Sequence, residues 1–156
     1  MDAHGVPLLL ADDDQDDCLL FGDALEELGI PARLTVAQDG EELMELLSAQ
    51  NESPWIIFLD LNMPRMNGFE CLVEIRSQKK WKDLPVIVYS TSSEPEAIAR
   101  LQRAGATHYI RKPAEFSKLK KVLSAIFDGY KGGRPPQKFY CKTRLANAII
   151  TPGSSA

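Results

Sequence analysis

Five carboxylates, Asp12, Asp13, Asp14, Asp16 and Asp17, crowd directly behind the apolar run Val6-Pro-Leu-Leu-Leu-Ala11, and Asp60 closes a second run, Trp55-Ile-Ile-Phe-Leu59. Adjacent carboxylates repel, and gathering two or three of them in one crevice either raises their pKa values or calls for a cation. Mg²⁺ suits such a place, because it takes a few carboxylates together with waters and a phosphate oxygen. Later apolar runs end in the hydroxyls Ser90-Thr91-Ser92 and in Lys112-Pro113. Carboxylates, a hydroxyl and an ammonium are the groups that meet the equatorial oxygens of a transferring phosphoryl group. Each has an ordinary use when taken alone. Asp16 and Asp17 read as the charged first turn of a helix, an Asp after a strand as a turn former, Ser90 as a strand-end residue and Lys112 as a surface ion-pair partner. Their joint placement at the ends of apolar runs carries the reading.

The elements that must hold these groups alternate in type. Val6 to Ala11 is almost wholly apolar, as expected of a strand buried on both faces of a parallel sheet. Between Asp16 and Leu28 the apolar residues Leu19, Leu20, Ala24, Leu25 and Leu28 recur at helical spacing, and Gly29 is a stop signal. The pattern continues with strands over 33–37, 55–59, 85–89 and 107–111 and helices over 40–49, 68–78, 95–104 and 115–130. Five strand-helix units predict a doubly wound α/β domain, its parallel sheet covered on both faces because right-handed crossovers put helices there. In such sheets functional groups collect beyond the carboxyl ends of the strands, which is where the acids, hydroxyls and lysine stand. Gly132-Gly-Arg-Pro-Pro136 breaks the pattern, so the expected organisation is one domain over 1–131 and a flexible basic and aromatic tail over 132–156.

Composition agrees with a single soluble domain: 156 residues, 44% apolar and 26% charged, with no apolar run near the roughly 18 residues of a membrane span. No signal peptide is recognisable at the N-terminus, and a cytoplasmic location is expected. Cys18, Cys71 and Cys141 lack metal-ligand spacing and read as thiols in a reducing compartment. All 22 acids precede residue 131 while five of the 18 basic residues stand at or beyond it, so residues 1–130 carry −9 and residues 131–156 carry +5. An acidic body disfavours nonspecific nucleic-acid binding, which rests on neutralising phosphates.

Four blocks in order carry a family resemblance: Leu-Leu-Leu-Ala-Asp12-Asp13-Asp14; Phe-Leu-Asp60-Leu-Asn62-Met-Pro64-Arg-Met-Asn-Gly68; Pro-Val-Ile-Val-Tyr-Ser90-Thr91; and Gly-Ala-Thr-His-Tyr109-Ile-Arg-Lys112-Pro113. Over about residues 6 to 130 the chain resembles the response-regulator receiver domains of the CheY-like superfamily, in their stand-alone form. The resemblance implies a flavodoxin-like sheet of strand order 2-1-3-4-5. It implies Asp60 as phosphoacceptor, and Mg²⁺ held by Asp12, Asp13, the Asp60 carboxylate and the backbone carbonyl of Asn62. Ser90 and Lys112 would each meet a phosphoryl oxygen, with Thr91 the rival hydroxyl if the strand runs one residue longer, or else a residue controlling access. Tyr109 would be the aromatic that moves between outward and inward positions, and Asn62 and Ser92 would tune hydrolysis of the acyl phosphate. The Lys112-Pro113 bond is expected cis.

Residues 131–156 offer no room for a DNA-binding or enzymatic output domain, so output through protein binding is expected, from a histidine kinase or phosphotransfer protein to an unknown target. The surface of the fourth helix, fifth strand and fifth helix, with Arg100, Arg103, Lys118, Lys120 and Lys121, is the expected contact face and a possible homodimer face; solvated helix faces explain the same charges. Such a receiver catalyses its own phosphoryl transfer and slow dephosphorylation without being a turnover enzyme. Three other classes fit less well. A Mg²⁺-dependent phosphohydrolase would want an acid where Asn62 stands, an FMN-binding protein a Ser/Thr/Gly-rich loop where Asp12 to Asp14 stand, and a degenerate, phosphorylation-independent receiver a missing site residue.

Overall fold

The computed structural model describes residues 5–49, 53–92 and 94–128. The elements run β1 (Val6–Ala11), α1 (Gln15–Glu27), β2 (Ala32–Ala37), α2 (Gly40–Ala49), β3 (Ile56–Leu59), α3 (Gly68–Ser77), a 3-10 helix (Lys79–Trp81), β4 (Val86–Ser90), α4 (Pro95–Arg103), β5 (His108–Arg111) and α5 (Phe116–Ile126). The strands form one parallel sheet in the order β2-β1-β3-β4-β5. The expected doubly wound fold and strand order are therefore present.

Alternation along each strand divides the core in two. Leu8, Leu10, Phe58, Ile87, Tyr89 and Ile110 face α1 and α5, meeting Phe21, Leu25, Leu119 and Val122. Leu9, Ile57, Leu59, Val86, Val88 and Tyr109 face the other helices, meeting Leu43, Leu72, Ile75 and Leu101. β3 and β4 are buried at every position, which explains why they read as unbroken apolar runs.

Local chemistry fixes the helix starts. Asp14 caps α1, its Oδ1 accepting from the N–H groups of Asp16 at 3.0 Å and Asp17 at 3.1 Å. Asn67 and Glu70 form a reciprocal capping box on α3, both bonds 2.9 Å, and Pro95 occupies the first turn of α4, where a missing N–H costs nothing. Boundaries differ from the sequence pattern by a residue or so at most ends. β4 runs one residue further, to Ser90, because Ser90 stays in the ladder opposite Arg111. The 3-10 helix, which no periodicity marked, carries the buried Trp81 into the core beside α3. α5 ends at Ile126, earlier than expected, because the chain turns at Phe127, its C-cap, and Asp128; residues 129–130, Cys141 and the 132–156 tail lie outside the described residues. Among the described residues no helix is long and apolar enough to cross a membrane.

The half-buried Arg76 ties α3 to two connections: Nε donates to the Gly105 carbonyl at 2.9 Å and Nη1 to the Trp81 carbonyl at 2.9 Å. Arg76→Ala leaves both carbonyls short of a charged donor, and a loss of about 1–3 kcal/mol in urea unfolding is expected, while the distant acid cluster keeps its geometry.

Candidate functional site

β1 and β3 end side by side at the carboxyl edge of the sheet, β5 ends at the same edge beyond β4, and each of the three delivers a charged residue. Asp12 follows β1, its N–H bonded to the Ala37 carbonyl at 2.9 Å; Asp60 follows β3, bonded to the Ala11 carbonyl at 2.9 Å; Lys112 follows β5, bonded to the Ser90 carbonyl at 2.8 Å. These bonds continue the strand ladders, so the sheet itself aims the three side chains. Asp12 and Asp60 are only 1% and 5% exposed, which makes an isolated charge on either expensive. Asp13 stands exposed at the rim, and one carboxylate oxygen from each of Asp12, Asp13 and Asp60 lies within 4.8 Å of the others.

Lys112 crosses this cluster. Its Nζ lies 2.7 Å from Asp12 Oδ2, 2.9 Å from Asp17 Oδ2 and 3.6 Å from Asp60 Oδ2, with the Tyr89 ring beneath it at 5.5 Å. Burial alone would depress the lysine pKa, but the hydrogen bonds to Asp12 and Asp17 and the charge of Asp60 outweigh it and hold the ammonium well above the ordinary range. Asp60 is pushed up to about 6, first by burial and then by Asp12, against the pull of Lys112 and of the N–H groups of Asn62 and Leu61. Burial likewise raises Asp12, opposed by Lys112 and by the Asp14 N–H at 3.0 Å. The pocket thus holds more negative charge than one ammonium offsets, with carboxylate oxygens converging from three sides. A hard divalent cation fits that donor set.

The loop after Asp60 is built close to the helix that follows it. A Cβ on Gly68 would strike the Asp60 carbonyl oxygen, with the Leu61 Cα only 2.8 Å away, so the start of α3 lies against the backbone that presents the carboxylate. Arg65 in the same loop takes a left-handed φ of 66° and ion-pairs with Asp39 at 2.7 Å, joining it to the loop before α2.

On the other side of Asp60, alternation turns Ser90 toward the α2, α3 and α4 layer. Ser90 is fully buried, and its Oγ accepts from the Ser92 N–H at 3.4 Å. Tyr109 is also buried; its hydroxyl donates to the Ser92 carbonyl, with Ser90 as a second polar neighbour. Tyr109 therefore stands inward and is joined to the β4–α4 loop, while Thr91 is exposed and Ser92 half-buried. Asn62 is exposed at the mouth. The basic residues expected on the output face are partly engaged: Arg100 lies over the Phe69 ring at 4.0 Å, Lys118 pairs with Glu115 at 3.6 Å and Lys120 with Glu27 of α1 at 3.0 Å.

Two sequence expectations change. No peptide bond among the described residues is cis, so Lys112-Pro113 is trans, the isomer an X-Pro bond prefers intrinsically; the ladder bond from Lys112 N–H already directs the side chain inward. Asp17, read as a solvated first-turn acid, does sit in the first turn of α1, but its carboxylate is spent on Lys112. The available signal was positional: a helix starting at the carboxyl edge of the sheet lays its first turn over the crevice. The half-buried Cys18 thiol, pushed up to about 11 by burial, donates to the Asp12 carbonyl at 3.5 Å, and Cys71 is pushed up to about 12; both are inert packing groups rather than nucleophiles.

With this geometry in view, comparisons with known proteins agree on one family. The family model described as the response regulator receiver domain matches residues 8–124. The chain is 30% identical to the probable chemotaxis protein CheY of Rhizobium etli over 129 residues, covering 83% of this chain and 98% of that protein. Its structure is similar to that of the phosphorylated cyanobacterial phytochrome response regulator RcpA, with a TM-score of 0.75 and 30% identity over 85% of this chain and 99% of that one. It is also similar to the Mn(2+)-bound form of response regulator Rcp1, with a TM-score of 0.73 and 27% identity over 84% and 99% of the two chains. Fold, strand order and family match coincide, and the chain belongs to the response regulator receiver domains of two-component signalling.

Proposed function

We propose that the chain is a phosphorylation switch in which Asp60 accepts a phosphoryl group from a phosphohistidine on a histidine kinase or phosphotransfer protein. The observation that carries this is the ammonium of Lys112 suspended between Asp12, Asp17 and Asp60 in a pocket with excess negative charge. An Asp60 oxygen attacks phosphorus, the P–N bond to the donor imidazole breaks, and the imidazole keeps that electron pair. With its pKa about 6, Asp60 is largely ionised at neutral pH and offers the lone pair that attack requires. The backbone N–H groups of Leu61 and Asn62 orient the carboxylate, Lys112 meets one phosphoryl oxygen and the Ser90 hydroxyl another. Asp12, Asp13, Asp60 and the Asn62 carbonyl would hold Mg²⁺, which supplies countercharge to the phosphoryl oxygens. The phosphorylated state named for RcpA and the divalent cation named for Rcp1 support this reading.

Output follows from the hydroxyl side. Drawing Ser90 toward a phosphoryl oxygen removes the acceptor of the Ser92 N–H and shifts the Tyr109 contact to Ser92, which alters the β4–α4 loop and the neighbouring face of α4, β5 and α5. That face is the proposed contact surface for a target protein or a second copy of the chain, with Arg100, Arg103, Lys118 and Lys121 contributing; the tail over 132–156 is proposed as a separate segment beyond the receiver at 1–131.

The test is intact mass after incubation with acetyl phosphate and Mg²⁺. A single phosphate adduct is expected on the wild type, absent without Mg²⁺ and absent in Asp60→Ala. An adduct that survives Asp60→Ala would overturn the assignment.

A further inference from the structure

The Lys112 ammonium sits closer to Asp12 and Asp17 than to the proposed acceptor: 2.7 Å and 2.9 Å against 3.6 Å from Asp60. Asp12 is shared, because a divalent cation bound by the acid cluster would claim it. Asp17 is not part of that cluster and keeps its hold on the ammonium when Asp12 is taken. Its position is fixed independently of Lys112. The Asp17 N–H donates to the Asp14 cap at 3.1 Å, and the first turn of α1 favours negative charge. Lys112 has little freedom to avoid it, since its side chain is 9% exposed, while that of Asp17 is 34% exposed and opens toward solvent.

We propose that Asp17 is a positioning residue that holds the Lys112 ammonium on the α1 side of the pocket, away from Asp60, so that a phosphoryl group on Asp60 must win the ammonium from it. The inference rests on the reading of Asp60 as acceptor. Asp17 then sets the balance between the unmodified and modified arrangements: the stronger its grip, the less favourable the ammonium's transfer to the phosphoryl oxygen. Lys112 follows β5, whose Tyr109 reaches the β4–α4 loop, so the same competition biases the conformation presented to partners.

The experiment measures beryllofluoride affinity at saturating Mg²⁺, by ¹⁹F NMR, for the wild type, Asp17→Asn, Asp17→Glu, Lys112→Met and the Asp17→Asn/Lys112→Met pair. Asp17→Asn keeps the side-chain shape and removes the charge; it is expected to bind this phosphoryl mimic about two- to fivefold tighter, the range for a partly exposed ion pair. Asp17→Glu, which restores the carboxylate, is expected to return toward wild type. In the Lys112→Met background the Asp17→Asn effect is expected to vanish, because Asp17 acts through the ammonium. Unchanged or weaker binding by Asp17→Asn, or an equal gain in the Lys112→Met background, overturns the proposal. If the wild type binds no beryllofluoride, the acceptor reading fails, and the ¹³C signal of the Asp60 carboxyl in metal-free protein decides on Asp17 separately. Its titration moves to lower pH in Asp17→Asn, and by more with Lys112 than with Met at 112, if the ammonium is released toward Asp60; equal shifts in both backgrounds reject that release.

Discussion

Asp60→Asn stabilises the metal-free protein at neutral pH by about 1–3 kcal/mol, and at the same time abolishes the phosphate adduct. The gain follows from what the carboxylate suffers on folding. In the unfolded chain an Asp titrates near 3.9, whereas burial and the Asp12 charge push Asp60 up to about 6 in the fold. Between about pH 4 and about pH 6 the folded state therefore binds more protons than the unfolded one, and stability falls as pH rises through that window. Below it both states are protonated and the group contributes no difference; above it the full cost of a buried, crowded charge is present. Asparagine removes the cost without changing the volume. Urea unfolding of both proteins across this range checks it: the curves converge at acid pH and separate as pH rises, by roughly 5 °C if read as Tm at neutral pH. Added Mg²⁺ closes the gap, since binding to the folded wild type alone stabilises it by mass action. A constant difference at all pH values would show that something other than the Asp60 charge is responsible.

Lys112→Met acts in the opposite direction. The ammonium lies within 3.6 Å of three carboxylates, and Asp12 has almost no access to water. Truncating one partner of a buried ionic group leaves uncompensated charge, which costs about 3–5 kcal/mol where the remaining group stays ionised. Here the acids have an escape by taking up protons, so the expected loss at neutral pH is about 2–4 kcal/mol and shrinks as pH falls. Mg²⁺ supplies the missing positive charge, so the variant binds it more tightly than wild type does, as isothermal titration checks. Phosphorylation by acetyl phosphate is expected to fall by at least about tenfold even at saturating Mg²⁺, because the donor to one phosphoryl oxygen is gone. Stability unchanged at neutral pH would mean that the acids are already protonated in the wild type.

These opposite signs describe a site held together at the expense of the fold, a common relation between activity and stability. Much of it was legible in the amino-acid order. Strands covered on both faces write themselves as apolar runs, so β1, β3 and β4 and the residues that end them were plain. The strand that carries Ser90 was drawn one residue short, since hydropathy gives no mark for a polar residue that remains in the ladder. The Asp17–Lys112 pair spans 95 positions, and no local pattern carries a contact of that range. The isomer of Lys112-Pro113 was likewise outside local reach, because either isomer is compatible with the dipeptide and the β5 ladder decides where the side chain goes.

The same distance along the chain has a meaning for synthesis. Asp12, Asp13 and Asp60 emerge from the ribosome well before Lys112, and a chain halted ahead of β5 carries the acids without the cation that reconciles them. Parallel pairing of distant strands is intrinsically slow to complete, and until it is complete the pocket is a repulsive cluster without its ammonium. On the proposed reading of Asp60 as acceptor, competence to take a phosphate certifies that a molecule has been made and folded through β5, and an unfinished copy stays silent instead of drawing phosphate from its donor.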